Sequence, residues 1–318
     1  MKGIIICLAL ALLVFLAGPA AAQQKVKYGT AVKLSLRYYL PVYAAEEKGF
    51  AKEEGTQLEY VPFRGGPALN AAMAAGHINV GASMAGTVFQ TAAAGLPVAI
   101  VASFVPKDTM YFWVRSASRF QGIKGLKGAT IGVHQLGSTS HAYGRMVVKA
   151  EGLEGQVRFV AMGGLTETIA AVRSGAVDAA SGYSFANFGK LMVAGEVRPI
   201  ANIHDYLPKE WVDHILYAKK EFIRTQPEVM RGVVRAIIRA LNFLENNPEW
   251  SIKRVIQEEG IPEEEARLSW RFRGKFSSDG KVERRGLENV RSFLTEYGIL
   301  TKEKAPTVEE IFAPEFTS

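Results

Sequence analysis

Lys52–Ser83 reads KEEGTQLEYVPFRGGPALNAAMAAGHINVGAS, and Lys149–Ser181 reads KAEGLEGQVRFVAMGGLTETIAAVRSGAVDAAS. Each opens on K-x-E-G, with Gly55 and Gly152 placed to end a helix. Each continues with a β-like stretch, Leu58–Phe63 and Val157–Ala161, and then a glycine pair, Gly65-Gly66 and Gly163-Gly164. A short helix follows, with Leu69, Ala72 and Met73 in one copy and Ile169 and Val172 in the other at helical spacing. Gly76 and Gly175 stop these helices, and short strands follow at Ile78–Gly81 and Val177–Ala180. The features keep their order and nearly their spacing, which marks an internal repeat.

Working outward, each copy has a matching opening. Lys25–Thr30 reads as a strand, followed by a loop and a helix over Leu40–Lys48. Ala129–His134 reads as a strand, followed by GSTS and a helix over Ser140–Glu151. Each half is then β-loop-α-β-loop-α-β. This pattern predicts an α/β fold of two doubly wound lobes with parallel strands and helices on both faces. Ligands of such sheets sit beyond the carboxyl ends of the strands. Those ends carry the loops Ala31–Tyr39, Arg64–Pro67, Ser83–Thr87, Gln135–Ser140, Met162–Thr166 and Ser181–Asn187. Two lobes with these edges facing enclose one cleft.

The loops supply the candidate contacts. Ser138, Thr139 and Ser140 can cap the following helix, whose free N–H groups and partial positive charge also suit an anion. Both uses are compatible. Arg64, before Gly65-Gly66, reads either as a surface cation or as a two-pronged partner for a carboxylate or sulfonate. Gly65, Gly66 and Gly163 allow a tight turn or close backbone approach to a ligand. Ser83, Met84 and Thr87 follow the third strand, and Tyr38 and Tyr183 are candidate aromatic walls. His134 is expected to pack at a strand end and His141 to lie inside its helix, neither at metal-ligand spacing. Asp108 shows no acid–base partner in the sequence, and Asp178 reads as holding a loop. No catalytic constellation, metal site or cofactor motif emerges.

The remaining signals concern compartment and partners. Lys2, the apolar run Ile4–Ala17 and Ala20-Ala21-Ala22 have the pattern of a secretory signal peptide over residues 1–22, cleaved before Gln23. The run is shorter than the roughly 20 residues that a membrane span needs. The single cysteine, Cys7, lies inside it, so thiol chemistry is not expected of the exported part. An exported chain without disulfides fits a bacterial periplasm. The net charge of +7 is scattered among acids, with no basic stripe and interleaved aromatics, which argues against nucleic acid. Gln226–Asn246 carries Val229, Val233, Ile237, Leu241 and Leu244 at helical spacing, and further helices are expected after Glu263 and Val282.

PVYAAEEKGFAKEEG, GGPALNAAMAAGHINVGAS, TAAAGLPVAIVAS, FQGIKGLKGATIGVHQLGSTS and AAVRSGAVDAA together resemble one protein group. It is that of ABC-transporter periplasmic solute-binding proteins for nitrate, sulfonate, taurine and thiamine precursors (NMT1/THI5-like). The resemblance implies a type II periplasmic-binding-protein fold whose chain crosses twice between lobes. It divides the chain into residues 23–107 and 217–318 (lobe I) and 108–216 (lobe II). It further implies a non-catalytic, monomeric receptor that delivers a small-molecule ligand to an ABC permease in the inner membrane. Arg64, the hydroxyl run and the positive charge point to a small organic anion, and Tyr38, Tyr183 and Met84 to one with an apolar or aromatic body. Two other readings stay open. One is an enzyme of the thiamine-pyrimidine or menaquinone-pathway type on the same fold, against which the export signal speaks. The other is an exported ligand-sensing module.

Overall fold

A computed structural model of the chain describes residues 23–32, 35–63 and 66–316. The expected signal segment therefore lies outside the described residues. In chain order the first elements are β1 (Gln24–Thr30), α1 (Leu36–Glu47), α2 (Phe50–Glu53), β2 (Thr56–Pro62), α3 (Gly66–Ala74), β3 (Val80–Met84), α4 (Ala85–Ala93) and β4 (Val98–Val105). The chain continues with β5 (Met110–Arg115), β6 (Thr130–Val133), α5 (Thr139–Ala150), β7 (Arg158–Ala161), α6 (Leu165–Ser174), β8 (Ala179–Ser184), α7 (Phe185–Val193) and β9 (Val197–Asn202). After β10 (His214–Lys219) it is helical, with α8 (Lys220–Thr225), α9 (Pro227–Asn246), α10 (Pro248–Glu259), α11 (Glu263–Arg271), α12 (Arg284–Glu296) and α13 (Val308–Ile311).

Two five-stranded sheets result, ordered β2-β1-β3-β10-β4 and β7-β6-β8-β5-β9. The orders are related element for element, so the repeat read in the sequence is a repeat in space. Within each repeat the strands are parallel, β1 against β2 and β3, and β6 against β7 and β8. The sheets are nevertheless mixed, which corrects the all-parallel expectation. The fourth strand of each, β10 or β5, runs antiparallel to both neighbours. Each is a strand that enters from the other lobe, so it arrives in the opposite direction. The whole of β10, from His214, lies in the first sheet, and the return crossing therefore precedes it.

Helix α1 begins four residues before the expected start. Proline such as Pro41 is favoured in a helix's first turn, where its missing N–H costs nothing. Here it sits inside the helix, which starts at Leu36 with Ser35 as N-cap. Tyr38 and Tyr39 are consequently helical and not on a loop. The same one-turn revision applies to Thr87, in the first turn of α4, and Tyr183 is inside β8.

The long helix α9 buries Val233, Ile237, Leu241 and Leu244 and packs on α1 beside the first sheet. Two later helices reach the second lobe. From the α11 end, Phe272 stacks on Phe185 of α7 at 5.1 Å with an interplanar angle of 7°. From α12, Phe293 stacks on Tyr143 of α5 at 5.0 Å. Aromatic pairs of this kind contribute about 0.5–1.5 kcal/mol beyond their buried area. The lobes thus touch through two aromatic contacts made by the C-terminal helices.

Candidate functional site

The two crossings meet on a buried polar chain. Asp108 precedes β5, and His214 opens β10. The Arg37 Nη2 donates to Asp108 Oδ1 at 2.6 Å, and His214 Nε2 lies 2.9 Å from Asp108 Oδ2. The other ring nitrogen, His214 Nδ1, lies 2.8 Å from the Tyr38 hydroxyl. Arg37 and Asp108 side chains are 10% and 1% exposed. Burial alone raises the Asp108 carboxyl, but Arg37, His214 and the Thr109 N–H overturn that and hold it well below the usual carboxylate range. The Asp108 N–H donates to Asp213 Oδ2 at 2.7 Å, and Trp211 Nε1 donates to Asp213 Oδ1 at 2.9 Å. One chain of contacts therefore ties α1 of the first lobe to both connecting segments. The expectation that Asp108 lacks a partner is corrected: its partners lie 71 and 106 residues away, invisible to local reading.

Above this floor the lobes meet at two gaps related by the repeat. One lies where the start of α4 faces the start of α5. It is lined by Met84, Thr87, Thr139, Tyr143, Trp211 and Phe293, among others, and its volume is about 20 Å³. The other lies where the start of α1 faces the start of α7. It is lined by Arg37, Phe185, Glu259 and Arg273, among others, and its volume is about 10 Å³. Each admits about one water. Neither gap has room for a larger ligand in this arrangement of the lobes.

The hydroxyl run divides its work. Ser138 is the N-cap of α5: its Oγ accepts from the His141 N–H and donates to the Gln135 carbonyl at 2.7 Å. Ser140 is buried, and its Oγ accepts from the His134 N–H at 3.0 Å, fixing the end of β6. Thr139 alone of the three lines the first gap, and its hydroxyl bonds no other described residue. Gly182, at φ +81°, lies so close that a Cβ on it would stand 2.7 Å from Ser140 Cα.

Residues 37–251 match the family described as NMT1/THI5 like. The chain belongs to that family. Among solved structures, it is similar to the periplasmic aliphatic sulphonate binding protein SsuA of Escherichia coli. That likeness has a TM-score of 0.77, 18% identity, and 92% of each chain covered. It is also similar to the alkanesulfonate-binding protein SsuA of Xanthomonas axonopodis pv. citri bound to MOPS. There the TM-score is 0.71 and the identity 20%, with 92% of this chain and 99% of that one covered. These likenesses establish the two-lobed periplasmic-binding-protein fold. A Brucella abortus chain named only as a binding protein is 27% identical over 212 residues, 65% of this chain. This chain spans 64% of the length of that curated relative.

The other expected contacts of this NMT1/THI5-like chain are spread unevenly. Met84 and Thr87 line the gap that holds Thr139. Ser83 is buried in β3 beside Ile215. Tyr38 is buried and bonded to His214, and Tyr183 is buried with its hydroxyl 2.9 Å from Thr168 Oγ1, so neither hydroxyl faces an open wall. Gly163 is exposed at φ +87°, and its N–H donates to the His134 carbonyl at 2.9 Å. Gly66 opens α3, while Arg64 and Gly65 lie outside the described residues. His134 is exposed and not packed as expected, because its backbone, through Ser140, does the anchoring. His141 lies inside α5, with Nδ1 accepting from the Gly137 N–H. Asp178 accepts from the Thr130 N–H at 2.8 Å, the loop-holding role read for it. Sequence reasoning missed Arg37, His214 and Arg273, each an ordinary polar residue on its own segment.

Proposed function

We propose that this protein is the periplasmic solute receptor of an ABC importer and closes its lobes over a small organic anion, a sulfonate or carboxylate. The observation that carries this reading is the facing of helix N-termini from both lobes, α4 with α5 and α1 with α7, across gaps at the strand carboxyl ends. Such termini offer free N–H donors and partial positive charge. Family membership and the named sulfonate-binding relatives support the same reading. The lobes are taken as residues 23–107 with the chain from His214 onward, and residues 108–213. Arg64 is proposed as a further contact on the first lobe.

A thermal-shift screen of alkanesulfonates, aliphatic and aromatic carboxylates and pyrimidines tests the reading. A ligand at 100 times its Kd stabilises by about 2.7 kcal/mol, a readily measured shift. Stabilisation by pyrimidines and by none of the anions would overturn the anion assignment. Export is checked separately. N-terminal sequencing of periplasmic material is expected to start near Gln23, and recovery with Met1 and the apolar run intact would remove the cleavage claim.

A further inference from the structure

We propose that the gap between α1 and α7 is the subsite for the ligand's anionic oxygen atoms, with Arg37 and Arg273 as its donors. This inference rests on the organic-anion reading above and deepens it. Arg37 and Arg273 come from segments 236 residues apart (273 − 37), yet both line this gap. Their side chains are 10% and 9% exposed. Each guanidinium is held at its far end. Arg37 Nη2 pairs with Asp108, and Arg273 Nη2 pairs with Glu245 Oε2 at 2.6 Å while its Nη1 donates to the Trp270 carbonyl at 2.7 Å. In both, Nε is buried and bonds no described residue. Two buried N–H donors left over beside one gap call for an acceptor, because buried donors are otherwise paired.

The second lobe supplies a complementary end. The first turn of α7 presents Phe185 and Ala186 to the same gap. Its N-cap Ser184 is engaged with Asn187 Oδ1 through both N–H and hydroxyl. The N–H groups of Phe185 and Ala186 have no intrahelical acceptor. Glu259 also lines the gap, with its Oε1 accepting from the Tyr39 hydroxyl at 2.7 Å, and burial raises its carboxyl toward the neutral form, so it opposes an anion less than an exposed acid would. Asp108 and Glu245 each pair with one arginine, and the guanidinium groups remain cationic, so their spare N–H donors favour an anionic oxygen over a neutral one by charge-assisted bonding. The repeat-related gap, with Met84, Tyr143 and Phe293, offers no comparable pair of guanidinium groups. At about 10 Å³ the gap holds one water-sized group, so a sulfonate or carboxylate enters as α7 draws back.

The test uses the mature full-length chain and three probes: methanesulfonate, acetate and uncharged dimethyl sulfone, titrated by calorimetry. At least one anion is expected to bind wild-type protein, and dimethyl sulfone is not. Arg273→Gln and Arg273→Lys are expected to weaken the anion at least tenfold. Ala186 is exposed, so Ala186→Asp is expected to fold normally, since an acid in a first turn suits the helix. It is nevertheless expected to weaken the anion at least tenfold by repulsion. Anion binding left unchanged by both Arg273→Gln and Ala186→Asp would overturn this subsite and leave the organic-anion reading standing. Wild-type protein that binds neither anion, or binds dimethyl sulfone equally well, would remove that reading and the subsite with it.

Discussion

Asp108→Asn is expected to lower folding stability at neutral pH by about 3–5 kcal/mol, the cost of leaving one partner of a buried ion pair uncompensated. The amide keeps the size of the carboxyl and a contact with His214, but it removes the charge 2.6 Å from Arg37 Nη2. Arg37 is a buried cation on α1, and no other described carboxylate forms an ion pair with it. The pH dependence follows from the depressed Asp108 carboxyl. A group whose folded pKa lies below its unfolded value of about 3.9 contributes its full stabilisation above that value. The contribution is lost as pH falls toward the folded value. Wild-type protein should therefore lose stability below about pH 4, while the variant lacks this component and its curve converges on the wild-type one. Urea unfolding at pH 7 and pH 3 measures both. Equal midpoints at pH 7 would show that the Arg37–Asp108 pair contributes nothing net to the joining of α1 and the crossing segments.

That pair also shows where sequence reading stops. The two repeats were legible because their signals are local: glycines at helix ends, glycine pairs before a helix, and apolar residues at the period of the element. The same strength explains α9, whose apolar stripe is contained in 20 consecutive residues. The antiparallel strands were not legible. The neighbours of β5 and β10 are chosen by the two crossings, and nothing in MYFWVR or HILYAK records direction. Helix α1 was read too short: it starts at Leu36 and carries Pro41 inside it, a place where tertiary packing overrides the first-turn preference of proline. The site divides in the same way. Ser138 as a cap, and the facing of the strand ends, follow from local pattern. The Tyr38–His214 contact spans 176 residues, and no spacing rule reaches that far. Arg273 follows α11 in a C-terminal segment whose helicity was visible but whose approach to α7 was not. The aromatic pair Phe185–Phe272 makes that approach, and each member reads alone as ordinary core.

Gly182→Ala is expected to destabilise the protein by about 2–6 kcal/mol and to disturb the first gap. Two independent costs combine. Gly182 has φ +81°, a left-handed conformation that costs a residue with a side chain about 1–3 kcal/mol. The added Cβ would also stand 2.7 Å from Ser140 Cα and 2.8 Å from Ser140 Cβ, so the obstacle is the backbone of α5 itself and not a movable side-chain tip. Overpacking of this kind costs about 1–3 kcal/mol more. Relief requires the first turn of α5 to move away from β8. Ser140 Oγ, which accepts from the His134 N–H, and Thr139, which lines the gap, would move with it. The loss should therefore appear twice, as a lower melting temperature and as weaker binding of whichever ligand the screen identifies. The variant Ser140→Gly removes the Cβ half of the collision, so the double variant should be less unstable than the two single losses added together. Coupling of this sign between contacting residues is what a shared steric cause produces. Strict additivity in calorimetric unfolding would mean that the strained backbone at Gly182 is the whole cost. The close approach to Ser140 would then not be what sets the position of the hydroxyl run.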